Sequence, residues 1–536
     1  MAVIDVGDRG VAITVAEPTP AMRMAVVRGL TQMLLDARIA GVTDVVPSPG
    51  RVTAVYDPLT TSHAEVRRRV EEIAEATPVS TGDSSAAEHE IPVCYGGELG
   101  PDLAEVCAAH AIDAERLVEA HAAAEYAVEA IGFLPGFAYL SGLPPALATP
   151  RRATPRRLVP AGAVGIGGSQ TGAYPFASPG GWNLIGHTPA RLFDATQASP
   201  ALLAVGDRVR FVPITPEEHR RRTHDGDGEP PRSRTPRVGV VVVAPGLFTT
   251  IQDLGRPGHR ASGVPLSGAA DPAALRLANR LVGNPEGAAA LEVTLLGPTL
   301  RFERDAVVAV AGAVFPGCPW ARPFRVSAGE TLSLGHAVAG CRGVLAIAGG
   351  VAVEPVLGSR STFVPARLGG LCGLPLAAGD VIPLGDASAG PTPALADPGP
   401  PPTASAVTTL RTIPGADFAA CGDAIWKATH RTSSRSDRMG VRLEGQPLGR
   451  DRADGSLPSV AVLPGTVQLP PDGQPIILLA DAQTIGGYPV IGHVIAADLP
   501  LVAQLRPGDV VRWQPSTIEE AHRAAREQDA TARAVR

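Results

Sequence analysis

The 536-residue sequence predicts a mainly β protein, a run of barrel-like modules preceded by a small α+β domain, and three observations carry that reading. A Gly-Asp pair leading into an apolar strand occurs three times: Gly206-Asp207-Arg208-Val209-Arg210-Phe211, Gly379-Asp380-Val381-Ile382 and Gly508-Asp509-Val510-Val511-Arg512-Trp513. A polar string occurs twice. Gln170-Thr171-Gly172-Ala173-Tyr174-Pro175 is followed by Ile185-Gly186-His187, and Gln483-Thr484-Ile485-Gly486-Gly487-Tyr488-Pro489 runs into Ile491-Gly492-His493. Finally, 60 glycines and 53 prolines exceed the usual combined share of about 12 % and show no Gly-X-Y period, so they mark many turns between short strands. Repeats of this kind mean related modules, and a polar repeat in the first and last of them points to a site shared between modules.

Taken in order, residues 1–85 read as the α+β domain. Val11, Ile13 and Val15 alternate as a strand, Val26, Leu30, Met33 and Ala37 keep helical spacing, and Val52, Ala54 and Tyr56 alternate again. Ser62 with Glu65 has the form of a capping box ahead of the apolar stripe Val66, Val70 and Ile73. This strand-helix-strand-strand-helix order fits a sheet with helices on one face. Residues 88–214 form the first barrel, interrupted by helices near 101–110 and 113–124, the second capped by Asp113. The stretch 215–237, rich in Arg, Asp, Gly and Pro, reads as a flexible linker. A second barrel follows at 238–385. It holds one helix, with Asp271 as cap, Pro272 in the first turn, Leu275, Leu277 and Leu281 apolar, and Gly283 to close it. A second linker, 386–407, precedes the last barrel at 408–515, and 516–536 reads as a C-terminal tail.

Composition excludes several functions. Aromatics at 4 % and a net charge of −6 argue against a nucleic-acid partner. The six cysteines are scattered without zinc-ligand spacing, so no metal site is expected. No signal segment opens the chain, and no apolar run approaches the roughly 18 residues of a membrane span; the expectation is a cytoplasmic protein. Lys427 is the only lysine, and no glycine loop precedes it, which rules out a Walker site, while Schiff-base chemistry or attached biotin would have to use this one residue. Anions must therefore be held by arginine forks or backbone N–H groups. Gly165-Ile166-Gly167-Gly168-Ser169, with no helix or lysine after it, reads as barrel turns rather than a nucleotide loop.

Longer strings carry a family resemblance. Ile131-Gly132-Phe133-Leu134-Pro135-Gly136-Phe137-Ala138-Tyr139-Leu140, the Pro-Arg pairs at 150–151 and 155–156, and Ser178-Pro179-Gly180-Gly181-Trp182 resemble the allophanate hydrolase subunit 1 type domain, also called the B subunit of 5-oxoprolinase. Gln252-Asp253-Leu254-Gly255-Arg256, Gly358-Ser359-Arg360-Ser361-Thr362, Ser436-Asp437-Arg438-Met439-Gly440 and the Gln483 string resemble its companion, the allophanate hydrolase subunit 2 type domain or C subunit of 5-oxoprolinase. The resemblance covers nearly the whole chain. It implies a fusion of both subunits, built as tandem cyclophilin-like β-barrels behind the small α+β domain. It also implies ATP-dependent opening of 5-oxoproline to glutamate, using ATP with Mg2+ and a separate partner, the A subunit of 5-oxoprolinase. Related domains are the carboxyltransferase part of urea carboxylase, so the alternative is carboxyl transfer to urea or another amide, with biotin supplied in trans. A further alternative is a regulatory binding protein, since some relatives of the first half inhibit a histidine kinase.

Both chemistries deliver an electrophile to an unreactive amide. That demands an in-line arrangement of donor and amide, and groups that stabilise charge on the transferring oxygens. The anion-holding candidates are Arg152, Arg156, Arg256, Arg438 and Arg442, and the proton-transfer candidates by type are His121, His187 and His493. His121, after Leu117 in a helical segment, reads equally as a structural histidine. Gln170 and Gln483 can pair with both edges of an amide or bridge to a neighbouring turn. Tyr174 and Tyr488 either pack on a ligand or cover a barrel mouth, and Ser436-Asp437-Arg438 reads as a ligand-binding turn or a capped turn with an internal ion pair. Two positions depart from the family pattern: His187 replaces arginine, and Ala163 replaces serine. The sequence leaves open whether one chain builds the site between its own barrels or shares it within a homo-oligomer.

Overall fold

The computed structural model describes residues 1–17, 19–77, 86–223, 239–386, 407–449 and 457–534. The alternating amino-terminal segments form a four-stranded antiparallel sheet in the spatial order Ala2–Asp5, Gly10–Thr14, Arg51–Tyr56, Val42–Ser48. The period of two along Gly10–Thr14 assigns its faces. Val11 and Ile13 pack with Val26, Leu30, Val66 and Val70 of the helices Pro20–Asp36 and His63–Ala76. Ala12, with Val46 and Val55, meets Ala130 of the first barrel and Ala461, Leu463 and Ile485 of the last. The helix starts are those expected: Ser62 Oγ accepts the Glu65 N–H at 3.2 Å, Asp113 Oδ1 the Arg116 N–H at 2.7 Å, and Asp271 Oδ1 the Ala274 N–H at 2.9 Å.

Two closed seven-strand barrels share one ring order. Around the first run Glu88–Tyr95, Asn183–His187, Ala163–Gly167, Gln170–Ala173, Ala138–Ser141, Tyr126–Ile131 and Arg208–Pro213. Around the last run, place for place, Val407–Pro414, Val490–Val494, Thr466–Gln468, Ile476–Leu478, Gly440–Gly445, Thr429–Thr432 and Val510–Pro515. In each ring the first and last strands are parallel, with Val93 opposite Pro213 and Thr412 opposite Pro515.

The middle module departs from the expected barrel. It is two antiparallel sheets, one of four strands including Val240–Ala244 and Thr299–Phe302, the other of five including Phe248–Gln252, Ala290–Thr294 and Ala339–Ile347. Val240, Leu300 and Phe302 from one sheet and Ile251, Leu291, Val308 and Leu345 from the other share a core. The chain passes between the two sheets repeatedly, and two of the passages carry turn-forming residues: Pro245-Gly246 (φ 75° at Gly246), and Leu295 (φ 57°) with Gly297-Pro298.

The three Gly-Asp pairs are one turn used three times. Gly206, Gly379 and Gly508 have φ of 93°, 88° and 90°. The aspartate that follows each accepts the backbone N–H three residues before it, from Ala204 at 2.8 Å, Ala377 at 2.7 Å and Arg506 at 2.7 Å. Elsewhere the boundaries differ from expectation. Part of the first linker is the helix Pro216–Thr223, whose His219 is buried; 224–238, and 387–406 of the second linker, lie outside the described residues. The C-terminal tail is the helix Ile518–Ala534. Its His522 Nε2 lies 2.8 Å from the Asp8 carbonyl oxygen and 3.3 Å from the Tyr56 hydroxyl, which docks it on the amino-terminal unit.

A buried ion cluster joins the middle module to the last barrel. Arg438, 6 % exposed, donates from Nε to Asp481 Oδ2 at 2.7 Å, from Nη2 to the Gly268 carbonyl at 2.7 Å, and from Nη1 to Glu292. Glu292 also accepts the Ala270 N–H at 2.7 Å, and Asp481 the Ser267 hydroxyl at 2.8 Å. Burial opposes the guanidinium's charge, but Asp481 and Glu292 outweigh it and hold the group protonated. Arg438→Met would strand two buried carboxylates, so it is expected to weaken the junction by about 3–5 kcal/mol. Calorimetry should then show a new low-temperature transition, and a melting profile identical to that of the parent would remove the cluster's structural role.

Candidate functional site

The shared ring order makes the two Ile-Gly-His echoes equivalent in register. His187 stands opposite Cys94 and Ala163, and His493 opposite Ile413 and Thr466. Their surroundings differ. His187 is partly exposed; its Nε2 is 2.7 Å from the Ala161 carbonyl oxygen and its Nδ1 2.8 Å from His219 Nε2. Donation from Nε2 to the carbonyl leaves Nδ1 to accept from His219. His493 is 7 % exposed, with Nδ1 3.3 Å from Thr466 Oγ1 and its ring against Gly7, where a Cβ would come within 2.9 Å. Burial, then the Arg9 cation, lowers its pKa to about 4. His121 lies in the core of the first barrel, 0 % exposed, with Nδ1 2.8 Å from the Tyr95 hydroxyl, Nε2 3.0 Å from Thr171 Oγ1, and its ring stacked on Phe211. Burial lowers its pKa to about 3. Its position is behind the Gln170–Ala173 strand, bonded to the residue after Gln170.

The Gln-Thr echoes, in contrast, are not equivalent. Gln170 begins a ring strand whose counterpart is Ile476–Leu478, whereas Gln483 lies in the connection after that counterpart. Thr171 pairs with Leu140 and both are buried, while the half-buried Gln170 takes the alternate face, its Nε2 3.4 Å from Glu129 Oε2. Glu129 is the extra residue of a bulge between Val128 and Ala130. Across from this strand edge, the Gln483 connection packs directly on the first barrel. A Cβ on Gly132 would lie 2.2 Å from Ile485 Cγ1 and 3.1 Å from Thr484 Oγ1, so glycine alone admits this approach. Ala130 and Tyr139 cluster with Ala461 and Ile485 on the same face. The two barrels thus meet at a seam where the Gln483 connection packs on Gly132 and its neighbours.

Polar atoms on the seam lack protein partners. Gln468 is 1 % and Thr484 0 % exposed, and neither Gln468 Nε2 nor Thr484 Oγ1 has a hydrogen bond among the described residues. Gln468 Oε1 is 3.5 Å from Gln483 Nε2, and a Cβ on Gly486 would fall 2.5 Å from Gln468 Nε2. Buried polar groups are nearly always paired, which marks these two as exceptions. Sequence reasoning missed Gln468 and Glu129; only their places in the ring single them out. The repeated tyrosines separate too. Tyr174, 2 % exposed, packs at 5.1 Å on Phe137 in an aromatic cluster with Trp182, and burial pushes its phenol up to about 12. Tyr488 is 46 % exposed.

Most candidate arginines already have partners. Arg152 Nη1 and Arg156 Nη2 converge on Asp102 Oδ1 at 2.9 and 2.6 Å, while Asp102 Oδ2 accepts the Leu184 N–H at 2.6 Å. Arg438 belongs to the ion cluster and makes no ion pair with Asp437 among the described residues, which removes the internal-pair alternative for Ser436-Asp437-Arg438; Asp437 Oδ1 accepts the Met439 N–H at 2.8 Å. Arg442 is exposed. Arg256 differs in having no carboxylate partner among the described residues: it is 1 % exposed and donates to the Ser361 and Val356 carbonyls, and its Nη1, like that of Arg156, has no hydrogen bond. Burial lowers its pKa, opposed by the nearby Asp253 and Asp481. Asp253 itself accepts the Ser359 hydroxyl at 2.6 Å and the Ser361 hydroxyl at 2.5 Å, which ties two of the family strings together. Among the described residues no cluster of three or more His, Cys, Asp or Glu is arranged to hold a metal ion, and no helix is long and apolar enough to cross a membrane.

The buried histidines give a pH signature. With pKa values of about 3 and about 4 in the folded chain, His121 and His493 stay neutral where an unfolded histidine, near 6.5, takes up a proton. Their contribution to stability is whole above pH 6.5 and declines as pH falls from there toward 4. Denaturant titrations from pH 7.5 to 4.5 should show this decline in the parent and a shallower one in His493→Gln; equal slopes would contradict the burial argument.

Comparison with known proteins places these features in a family. Residues 1–203 match the carboxyltransferase domain, subdomains C and D, and residues 262–515 match its subdomains A and B. The C subunit of 5-oxoprolinase from Escherichia coli K12 is 40 % identical over 308 residues, covering 54 % of this chain and 94 % of its own length. The B subunit of 5-oxoprolinase from Escherichia coli O157:H7 is 42 % identical over 208 residues, covering 39 % and 94 %. The crystal structure of TTHA0988 aligns with a TM-score of 0.80 at 36 % identity, covering 94 % of this chain and 99 % of that one. With both kinds of relative matched over nearly their full lengths, the chain belongs to the carboxyltransferase-domain family of the 5-oxoprolinase B and C subunits, carrying both in one polypeptide.

Proposed function

We propose that this chain is the B–C component of an ATP-dependent 5-oxoprolinase, activating the lactam for ring opening to glutamate by a separate A subunit. The observation that carries the reading is the seam, where Gln483, Gln468 and Thr484 of the last barrel gather beside its contact with the first, in modules whose relatives are named as subunits of that enzyme. A lactam offers one N–H donor and one carbonyl acceptor. Gln170 and Gln483 can satisfy both edges, and Gln468 Nε2 and the Thr484 hydroxyl supply further donors to an oxygen that gains charge. Phosphoryl transfer breaks the bond between the γ-phosphorus of ATP and its bridging oxygen and forms one to the lactam oxygen, with ADP leaving. The ring carbon becomes more electrophilic, and ring opening follows on the partner protein.

ATP enters as a co-substrate with its Mg2+, an ion that commonly binds through substrate phosphates and one or two carboxylates. Arg256 is the arginine suited to the transferring phosphoryl group, because it is buried and bonded to carbonyl oxygens with no carboxylate ion pair among the described residues, while Arg152, Arg156 and Arg438 are engaged by carboxylates. His187, the least buried of the three candidate histidines, is the one placed to exchange protons with solvent; His121 and His493 act as neutral supports. Carboxyl transfer, with carboxybiotin delivered in trans, is the second reading, favoured by the carboxyltransferase match itself.

ADP release by the purified chain, with and without 5-oxoproline and the recombinant A subunit, tests the proposal. Stimulation by 5-oxoproline is expected, with glutamate appearing only when the A subunit is present. Gln483→Ala should lower the stimulated rate by about 10- to 100-fold, the loss of one or two hydrogen bonds to the reacting amide, with the melting temperature retained. No stimulation in any combination would transfer the case to carboxyl transfer.

A further inference from the structure

The first barrel presents a further polar group at the seam. Tyr139, in the strand Ala138–Ser141, takes the face opposite to its core neighbours Ala138 and Leu140. It is half-buried and packs on the patch of Ala130, Ala461 and Ile485 where the first and last barrels meet. Phe137 at 4.9 Å and Trp182 at 6.1 Å hold its ring from the other side. The hydroxyl makes no hydrogen bond among the described residues. Burial pushes this phenol up to about 12, opposed by the cation of Arg151, so at neutral pH it keeps its proton and is a donor.

Arg151 stands on a pinned stretch of backbone. Thr149 exchanges two backbone bonds with Gly168, at 3.2 and 2.7 Å, the Pro150 carbonyl accepts from Asn183 Nδ2 at 2.9 Å, and the Arg152 N–H donates to the Gly181 carbonyl at 2.8 Å. These bonds hold Arg151 between the turn at Gly168 and the segment of Trp182, whose ring packs on Tyr139. The side chain of Arg151 is exposed and makes no hydrogen bond or ion pair among the described residues, whereas Arg152 and Arg156 are both taken by Asp102. Its charge acts on Tyr139 and on Tyr174. Glu129, which faces Gln170, makes no ion pair with it.

We propose that Arg151 and the Tyr139 hydroxyl bind the ring carboxylate of a lactam substrate, an assignment that rests on the reading of the seam as the lactam site. A guanidinium with its fork unused and a phenol that must donate together match the acceptors of one carboxylate. In 5-oxoproline that carboxylate sits on the ring carbon beside the nitrogen, so the amide edge and the carboxylate are recognised by separate groups. Urea, or a lactam without the carboxylate, gives Arg151 and Tyr139 nothing to hold. Selectivity for a carboxylated lactam over a neutral amide therefore arises from the first barrel, while the amide contacts serve either compound.

Isothermal calorimetry on the full chain tests this, with 5-oxoproline and with 2-pyrrolidinone, the same ring lacking the carboxylate, each with and without a non-hydrolysable ATP analogue. The parent should bind 5-oxoproline at least about ten-fold more tightly than 2-pyrrolidinone. Arg151→Gln should weaken 5-oxoproline by at least about ten-fold and Tyr139→Phe by about three- to ten-fold, and both should leave 2-pyrrolidinone unchanged, which also shows that the site is still folded. Arg157→Gln, an exposed arginine on the neighbouring strand Arg156–Val159, should retain the preference of the parent. Equal affinity of the parent for both lactams, an undiminished preference in Arg151→Gln or Tyr139→Phe, or the same loss in Arg157→Gln would overturn this assignment alone. Binding of neither lactam under any condition would overturn the reading of the seam and this assignment with it.

Discussion

The arrangement of this chain depends on one buried contact, the Arg438 guanidinium held between Asp481 and Glu292. Glu292 lies on a central strand of the middle module, Asp481 at the start of the connection that carries Gln483, and Arg438 just ahead of a strand of the last barrel. A desolvated ion group of this kind contributes little net stability compared with apolar packing, but it tolerates very little displacement. It fixes where the Gln483 connection leaves its barrel. The seam against Gly132 then follows, because Thr484 and Ile485 come within one further turn of chain.

The two barrels repeat one ring order and put it to different uses. The rings agree strand for strand, including the parallel closure and the register of His187 and His493. The seam nonetheless joins unlike parts, the outer face of strands in the first barrel and an interstrand connection in the last. A site between unlike surfaces is asymmetric, as a reaction with distinct donor and acceptor requires. The same divergence explains why His187 retains solvent contact while His493 is sealed beneath Gly7 of the amino-terminal unit.

Features governed by local physics were legible in the sequence. The caps at Ser62, Asp113 and Asp271, the strands with a period of two, and the Gly-Asp turn each depend on residues within a few positions. Features governed by distant partners were not. The division of the middle module into two sheets depends on which of its strands pair, and that is set by partners distant in sequence. The final helix was not legible because its buried face rests on small residues, Ala521, Ala524 and Ala525, with His522. For the site, sequence supplied the right strings but not the role of each member. Arg152 and Arg156 have the chemistry of anion holders, but Asp102, some fifty positions away, already lies between them, and nothing local distinguishes Gln468 from any other strand residue.

The proposed activity requires direct contact between the first and last barrels at Gly132 and Ile485. Gly132→Ala tests it with a single methyl group, which would stand 2.2 Å from Ile485 Cγ1 and must push the barrels apart. Measured as 5-oxoproline-stimulated ADP release beside circular dichroism, the variant is predicted to keep its secondary structure and lose most of its stimulated activity, with partial recovery on adding Ile485→Ala, which removes the clashing Cγ1. Full activity in Gly132→Ala would contradict the account.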